Sequence, residues 1–509
     1  MAALRRLNAV SRRLNVVTAH ATASFATDSA AVPRAEVFEA TPEIIRTVTR
    51  GTGGYEESLE RNWAGNVRFF GTPAVPASLA ELQSLVREAT PPVRLVGRGH
   101  SFTPLAECAG GTLISLARLN QVLDFQPPEG GKVGSITVEG GTTYSEIAQF
   151  MGRRGALRNL PSCTQFTVAG ATSTGTHGSG QHIQNLATQV SAIEFVKADG
   201  TLARYSREEN PDLLDGARTH LGCLGPVSRI TLDVVPWYEV ELFLYQGVAL
   251  DHAGDLLPRL YESCDSLSIW TPSPFGLDRE CVAMFRHFLP HWDASVAVPV
   301  HQPPKEFVHG GLVKATLPRY CADGEKEPPS WKPSGKRAWH DALTLTFDNC
   351  KETSMVSVDV QMELFVPLQH AQAAVRAVKQ ATQGWSMGAQ EDDQGNVTVG
   401  LVFAMEFRQV KGDSAWLSPQ PVDSFCVHVS FNGAPEWQPK VLKAVTILEQ
   451  ALKPFGARAH WGKLGPLSFA PVRLAELYGE GLQRFRDLCE VHDPTGKFRN
   501  AHVRQMFFA

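Results

Sequence analysis

Val93-Arg94-Leu95-Val96-Gly97-Arg98-Gly99-His100-Ser101 is the stretch on which the reading of this chain turns. Four residues that suit a short buried strand run directly into a loop with two glycines and a histidine. A second run of small residues follows at Val168-Ala169-Gly170-Ala171-Thr172-Ser173-Thr174-Gly175-Thr176-His177-Gly178-Ser179-Gly180. Glycines let backbone N–H groups converge on an anion, and Ser and Thr hydroxyls add donors without formal charge, so the two stretches suit a pyrophosphate cradle. Either one alone is equally an ordinary glycine-rich turn. The presence of both points to a bound cofactor.

Dense strand and turn punctuation surrounds these loops. Residues 112–116 and 135–138 read as strands, and Gly140-Gly141 turns the chain into a helix over about 144–153. Residues 193–196 and 202–205 flank Ala198-Asp199-Gly200 as a hairpin, and 227–235 alternates like a half-buried strand. Residues 60–240 are therefore expected to form one α+β unit that holds the cofactor. From 241 to 435 the strands are broader, as at 355–365, with a helix near 369–380 and a Pro/Lys-rich loop at 325–336; this reads as a sheet-based substrate or cap domain. Residues 436–509 contain a helix near 440–452, then His460-Trp461-Gly462-Lys463 and Asp493-Pro494-Thr495-Gly496-Lys497-Phe498, a C-terminal segment expected to close the site.

Composition narrows the partner. With 509 residues and 43% hydrophobic content the chain can bury a large core and is expected to form two structural domains around a cleft. A formal net charge of -4, from 48 basic and 52 acidic residues, offers no surplus to attract nucleic acid or an anionic membrane. No apolar run is long enough for a membrane span, so a small molecule is the expected partner. Nine cysteines without a Cys-x-x-Cys pair argue against a disulfide scaffold or a structural zinc site. His287 and His291 are separated by Leu289-Pro290, which disfavours a helix presenting both to a metal, so no metal is expected. Residues 1–35 carry Arg5, Arg6, Arg12 and Arg13 and no acidic residue before Asp28, with Leu4, Leu7, Val10 and Leu14 at helical spacing. That pattern resembles a mitochondrial presequence, the alternative being a disordered basic tail on a cytoplasmic protein.

Two short motifs supply candidate chemistry. In Glu406-Phe407-Arg408 strand alternation sends both charged side chains to one face, either as a purely structural buried pair or as part of a site. His428-Val429-Ser430 places a ring and a hydroxyl together by the same rule, the alternative being a core histidine.

Gly97 to Phe102 resembles the flavin-attachment loop of the vanillyl-alcohol-oxidase-type (PCMH-type FAD-binding) superfamily, in which a histidine bonds the isoalloxazine 8α-methyl group. Asn62-Trp63-Ala64-Gly65-Asn66, the Val168–Gly180 segment, Trp416-Leu417-Ser418-Pro419, His460–Lys463 and Asp493–Asn500 extend the resemblance to alditol oxidases, from about residue 60 to the C-terminus. It implies an α+β fold with a two-part FAD-binding domain and a cap, and FAD covalently held by His100. The implied flavin contacts are Gly97, Arg98, Gly99, His100, Ser101, Thr167, Gly170, Ser173, Thr174, Gly175, Thr176, His177, Val227 and His460. Ser162, His428 and Ser430 would face the substrate. Glu406, Arg408 and Lys463 would be catalytic, with the arginine near the reacting hydroxyl and the lysine completing a cationic side.

The implied reaction passes hydride from the C1 hydroxyl of a polyol to flavin N5, with O2 reoxidising the flavin to give aldose and hydrogen peroxide. Either Glu406 or Lys463 would take the hydroxyl proton. Ser430 departs from the threonine of alditol oxidases, which puts polyol length preference in doubt, and Pro161 replaces the alanine of the bacterial pattern. An aldonolactone oxidase or dehydrogenase of the ascorbate-type branch resembles the chain in the flavin loop, the Glu-x-Arg pair and the His-Trp-x-Lys motif. A flavoprotein that binds without catalysing is the other alternative. Cys163 sits five residues before Val168, where berberine-bridge-type relatives carry a second flavin-linking cysteine. Alditol oxidases have none there, and free cysteines are usually inert core residues, so a single bond through His100 is expected.

Overall fold

The computed structural model describes residues 60–248, 257–271, 281–293, 295–296, 336–344, 359–385, 389–391 and 397–508. The presequence expected at 1–35, nearly all of the Pro/Lys-rich loop, and residues 355–358 of the expected broad strand lie outside them. Helix and strand are mixed throughout, and the strands gather mainly into two sheets.

The smaller sheet is antiparallel. Its strands β3 (Val122–Gln126), β4 (Gly134–Glu139), β5 (Val190–Val196), β6 (Leu202–Ser206) and β7 (Val227–Val234) lie in the order β3-β4-β7-β5-β6. β5 and β6 form the hairpin expected across Asp199-Gly200. Beside this sheet β1 (Val93–Val96) pairs in parallel with β2 (Thr112–Ser115). α1 (Leu79–Glu88) buries Leu82 and Val86. α2 (Tyr144–Met151) opens on a capping box, with the Thr143 hydroxyl accepting from Glu146 N and the Glu146 carboxylate accepting from Thr143 N. That box satisfies donors the first turn would otherwise leave unpaired. The helix stops two residues short of its expected end because Gly152 takes φ +54.

The larger sheet has eight strands: β8 (Glu239–Val248), β9 (Ser266–Thr271), β10 (Cys281–Leu289), β11 (Lys336–Ala338), β12 (Asp359–Pro367), β15 (Val402–Val410), β16 (Ser424–Asn432) and β17 (Arg458–Ala459), with the hairpin β13 (Ala389–Glu391) and β14 (Val397–Val399) apart from it. Their order is β11-β8-β10-β9-β15-β16-β12-β17. Two amphipathic helices, Ala371–Ala381 and Gln438–Leu452, cover part of it with Ala374, Val375, Val378, Val441, Val445 and Leu448 buried. A single hydrophobic cluster joins the two sheets, taking in Phe195 and Ile230 from one and Phe285 and Val427 from the other.

Several helices escape the sequence pattern, among them Leu79–Glu88, Pro211–Arg218 and Ala501–Phe507, and two more bear on the site. Val168–Ser173, inside the glycine-rich stretch, is a short helix capped by the Thr167 hydroxyl. Pro471–His492 is long but breaks at Gly479, whose φ of 47 and ψ of -123 lie outside helical space. The C-terminal segment then returns to the first unit. Lys497 Nζ donates to the carbonyls of Val86, Arg87 and Ala198, and Asn500 Nδ2 to those of Pro104 and Glu107. Arg94, in β1, is buried and donates to the carbonyls of Leu105, Leu221 and Phe498. These bonds fix the strand from which the Gly97–Ser101 loop departs.

Candidate active site

The loop after β1 is clamped from both sides. Trp63 N donates to Gly99 O at 2.7 Å, Asn62 Nδ2 to Ser101 O at 3.0 Å, and Asn66 Nδ2 to Phe102 O at 2.9 Å. From the other side Phe102 N donates to Gly462 O at 2.8 Å and the Thr103 hydroxyl to Trp461 O at 3.0 Å. Gly99 takes φ +68, which only glycine adopts without strain. His100 is stacked on Trp63 at 5.7 Å between centroids and leans on Phe166 at 4.7 Å. Burial, with Lys463 and Arg98 nearby, lowers its pKa to about 3, so the ring is neutral.

The two small-residue stretches meet. A Cβ on Gly97 would fall 2.7 Å from the Thr167 hydroxyl oxygen. Gly175 has φ +67, and a Cβ on Gly178 would collide with the Asn159 side chain. Gly180 N donates to Gln409 O at 2.8 Å, which ties the end of the second stretch to β15. His177 is thereby carried to the larger sheet, with Nδ1 2.7 Å from Gly178 O and Nε2 3.1 Å from Glu363 Oε1.

Register builds the remainder. Residues directly opposite in an antiparallel pair point to the same face. Glu363, His428, Glu406 and Trp270 form one row across β12, β16, β15 and β9, and Phe365, Cys426, Arg408 and Ser268 form the next. Arg408 Nη2 donates to Glu363 Oε1, and its Nε lies 3.4 Å from Glu406 Oε2. Cys426 Sγ lies 3.1 Å and His428 Nδ1 3.5 Å from the same Glu363 oxygen. His428 Nε2 lies 3.3 Å from the Ser430 hydroxyl. The segment after β17 runs beside β12, with His460 N donating to Glu363 O and Leu464 N to Gln361 O. That course brings Lys463 to donate to Gln361 Oε1, and its Nζ lies 4.9 Å from the centre of the Phe102 ring. Gln361 in turn donates to Asp359 Oδ2 at 2.8 Å.

Burial and charge divide these groups. Burial works against the charge of Glu363, but Arg408 and His177 outweigh it and hold the carboxyl well below the usual range. Burial pushes Glu406 up against the pull of Arg408, and the charge of Glu363 adds to the rise. Burial also lowers Lys463, His177, His428 (to about 4) and His460 (to about 3). The two carboxylates beside one guanidinium thus differ in proton affinity, as paired acid–base groups in active sites do.

Several of the residues singled out from sequence are brought together. Gly97 meets Thr167, and the rings of His177 and His460 lie 6.0 Å apart between centroids. His177, Arg408 and His428 surround Glu363, with Glu406 beside Arg408 and Ser430 beside His428. Val227 is buried at the start of β7, in the core of the smaller sheet. Ser162 is exposed, and no hydrogen bond joins it to the Arg408 cluster among the described residues. Glu363 and Gln361 are the residues that sequence reasoning missed. Their signal was available: Asp359, Gln361 and Glu363 alternate with Val360, Met362 and Leu364 in a strand buried on both faces, and polar residues at period two inside such a strand mark a polar site within the core. His177, Glu363 and Cys426 also lie close enough to hold a metal ion. Arg408, however, already occupies the carboxylate they would share.

These features fit a flavin. The loops are neutral, apart from Arg98, and glycines stand where a side chain would block the approach of one loop to the other. Thr142, whose carbonyl accepts from Val168 N, keeps a buried hydroxyl with no partner among the described residues. A bound group beside Thr167 would supply one.

Comparison with known proteins agrees. The family described as FAD binding domain matches residues 73–206, and the family described as D-arabinono-1,4-lactone oxidase matches residues 353–506. Alditol oxidase of Streptomyces sp. is 29% identical over 454 residues, covering 87% of this chain and 98% of that protein. L-gulonolactone oxidase of Mus musculus is 26% identical over 483 residues, covering 89% and 99%. D-arabinono-1,4-lactone oxidase of Yarrowia lipolytica is 34% identical, but over 36% of this chain and 35% of its own length. Among solved structures, cholesterol oxidase from B. sterolicum superposes with a TM-score of 0.64 at 14% identity, covering 88% of this chain and 96% of that one. At that identity the likeness concerns the fold.

Proposed function

This chain belongs to the vanillyl-alcohol-oxidase-type, PCMH-type superfamily of FAD-dependent oxidoreductases, and we propose that within it the chain oxidises the C1 hydroxyl of a polyol to an aldehyde, with dioxygen as the electron acceptor. The observation that carries this reading is the buried polar face on which Arg408, flanked by Glu363 and Glu406, stands beside His428 and near Lys463. Such a face offers many donors and acceptors to a polyhydroxylated molecule and little to an apolar one.

When bound, FAD supplies the two-electron acceptor for the oxidation. Arg408 and Lys463 place two cationic groups where alkoxide-like charge would develop, and burial makes their effect stronger than it would be in water. Glu406, or Lys463 if it is neutral rather than cationic, would take the hydroxyl proton. Ser430 and His428 offer a hydroxyl and a ring to hydroxyls farther along the substrate. Glu363, Glu406, Arg408 and His428 are all less than a tenth exposed, so little water competes. Covalent attachment through His100 is part of the same reading. A C–N bond needs an unprotonated ring nitrogen, and the neutral imidazole stacked on Trp63 provides one in a fixed orientation.

A second reading is oxidation of an aldonolactone. It is favoured by the match of residues 353–506, which include Glu363, Glu406, Arg408, His428 and Lys463, to the lactone-oxidase family. Anaerobic mixing with xylitol, sorbitol, gulonolactone and galactonolactone separates the two. Bleaching of the flavin absorbance by the polyols, restored by air with release of hydrogen peroxide, is the expected outcome. Bleaching by lactones alone would replace the first reading with the second, and bleaching by none of the four would remove both.

A further inference from the structure

We propose that Glu363 is a positioning residue of the reaction: its buried carboxylate holds Arg408 against β12 and orients the His428 ring, leaving Glu406 as the carboxylate that exchanges the proton of the substrate hydroxyl. This rests on the oxidase reading above. It adds a residue that the Glu406-x-Arg408 and His428-x-Ser430 motifs do not contain, and it decides between the two proton acceptors.

The geometry is that of a hub. One oxygen of Glu363 accepts from Arg408 Nη2 and lies within 3.5 Å of His177 Nε2, His428 Nδ1 and Cys426 Sγ. Four groups from three separate segments thus converge on one atom. A carboxylate this buried is costly unless its charge is met, and here a guanidinium meets it directly. Arg408 consequently spends its Nη2 donor on β12 and turns only Nε toward Glu406, at 3.4 Å. Glu406 faces Arg408 on its own strand, Glu363 on β12, Cys426 and His428 on β16, Arg286 on β10, Ser268 on β9 and Tyr261 on the helix Leu257–Glu262. Its contact with Arg408 is the longer of the two, and with the negative charge of Glu363 beside it and burial against it, it keeps the greater affinity for a proton.

Lys463 is less suited to accept the proton. Burial lowers its pKa, but Glu363 and Asp359 oppose that fall, and its Nζ is already donating to Gln361 Oε1. The proton therefore passes from the substrate hydroxyl to a Glu406 oxygen, while the hydride leaves with the electron pair to the flavin. Orientation of His428 follows from the same hub. An ionised carboxylate favours an N–H at Nδ1 rather than a lone pair. Nε2 is then unprotonated and accepts from the Ser430 hydroxyl, so the Ser430 oxygen is left to accept from the substrate.

Holoenzyme variants Glu363→Gln and Glu363→Asp, with wild type, test this through anaerobic flavin reduction followed across pH. Glu363→Gln removes the charge while keeping the shape. Arg408 then has Glu406 as its only carboxylate, so the acidic limb of the rate profile should move down by about one pH unit or more, since a like charge is lost and an opposite one gained. The limiting rate should fall at least about tenfold. Glu363→Asp keeps the charge and loses reach, so its rate should fall while the limb stays within about half a unit of wild type. A merely structural role would lower rate or flavin content in both variants without moving the limb, and an unmoved limb in Glu363→Gln overturns the proposal. A second measurement needs no change at Glu363. In spectra of wild-type holoenzyme labelled with 15N-histidine, the His428 signals, assigned by their loss in His428→Asn, should show a proton on Nδ1 and none on Nε2. The opposite tautomer overturns the proposal even if Glu363→Gln fails to fold. If no polyol or lactone reduces the wild-type flavin, the functional reading has failed, and this tautomer result still decides the placement of His428.

Discussion

Gly97 and Thr167 lie so close that a Cβ on the glycine would sit 2.7 Å from the threonine hydroxyl oxygen. That hydroxyl also caps the helix Val168–Ser173 by accepting from Gly170 N. One oxygen therefore sets both the spacing of the two small-residue loops and the start of the helix between them.

Gly97→Ala should push the loops apart and reduce the flavin bound per protein, read as the ratio of absorbance at 450 and 280 nm. Thr167→Ala alone should cost about 1 kcal/mol through loss of the cap. Combined with Gly97→Ala it should restore part of the flavin, because the clashing oxygen is gone, a non-additivity expected only of residues in contact. If the double variant binds no more flavin than Gly97→Ala, the contact does not set the spacing.

This contact also shows what the sequence could and could not tell. Each glycine-rich stretch was visible as a loop without long side chains, and the β5–β6 hairpin and the strands bearing Glu406 and His428 were visible from alternation. Which loops meet is decided by β1, β12 and the C-terminal return through Lys497 and Asn500, long-range pairings that no local period encodes. The helix Val168–Ser173 was hidden because it is only six residues long and Gly170, Thr172 and Ser173 are weak helix formers, so it forms only with its cap in a packed setting. Pro471–His492 was masked by Gly479 and Gly481, of which the first breaks the helix and the second lies against the Trp416 backbone, where a Cβ would come within 2.7 Å of the carbonyl oxygen. Glu363 went unread because the alternation of Asp359, Gln361 and Glu363 also suits a strand with one solvated face, and only the neighbouring strands show that both faces are buried.

Lys463→Met keeps length and removes charge. Its contact with Gln361 would be lost, but the methionine can still pack on Phe102. Limiting flavin reduction should slow by roughly 100-fold, as when one stabiliser of developing charge is removed, with flavin content close to wild type. A wild-type reduction rate would remove Lys463 from the reaction. Arg408→Ala should be worse for folding as well as rate, because it leaves Glu363 buried without its cation, at a cost of about 3–5 kcal/mol.

His220 gives a pH dependence of stability away from the site. It is buried against Phe195, accepts from Gly222 N through Nδ1, and burial with Arg94 nearby lowers its pKa to about 3. In the unfolded chain it titrates near 6.5. The unfolded state therefore takes up a proton that the folded state refuses, so the stabilisation is complete above pH 6.5 and is lost as pH falls toward 3. His220→Asn retains an acceptor for Gly222 and cannot titrate. The drop in Tm between pH 7 and pH 5 should be shallower in this variant than in wild type, and equal slopes would mean that His220 does not contribute.

Attachment of the flavin is tested by denaturation. His100 sits on the clamped loop, neutral and stacked on Trp63, while Cys163 is buried three residues before Phe166, the ring that leans on His100. A second bond through the Cys163 sulfur is the alternative that the same experiment tests. Wild-type protein precipitated in acid should keep its yellow colour in the pellet, and a peptide containing His100 should carry the added mass of FAD. His100→Ala should bind flavin that is released completely into the supernatant, since a neutral ring nitrogen is then no longer available to form the bond. Colour that remains in the His100→Ala pellet and is freed only when Cys163→Ser is added would establish a second bond through sulfur. Colour lost from the wild-type pellet would show that the flavin is held without any covalent bond, and the role of the His100 ring would reduce to packing on Trp63 and Phe166.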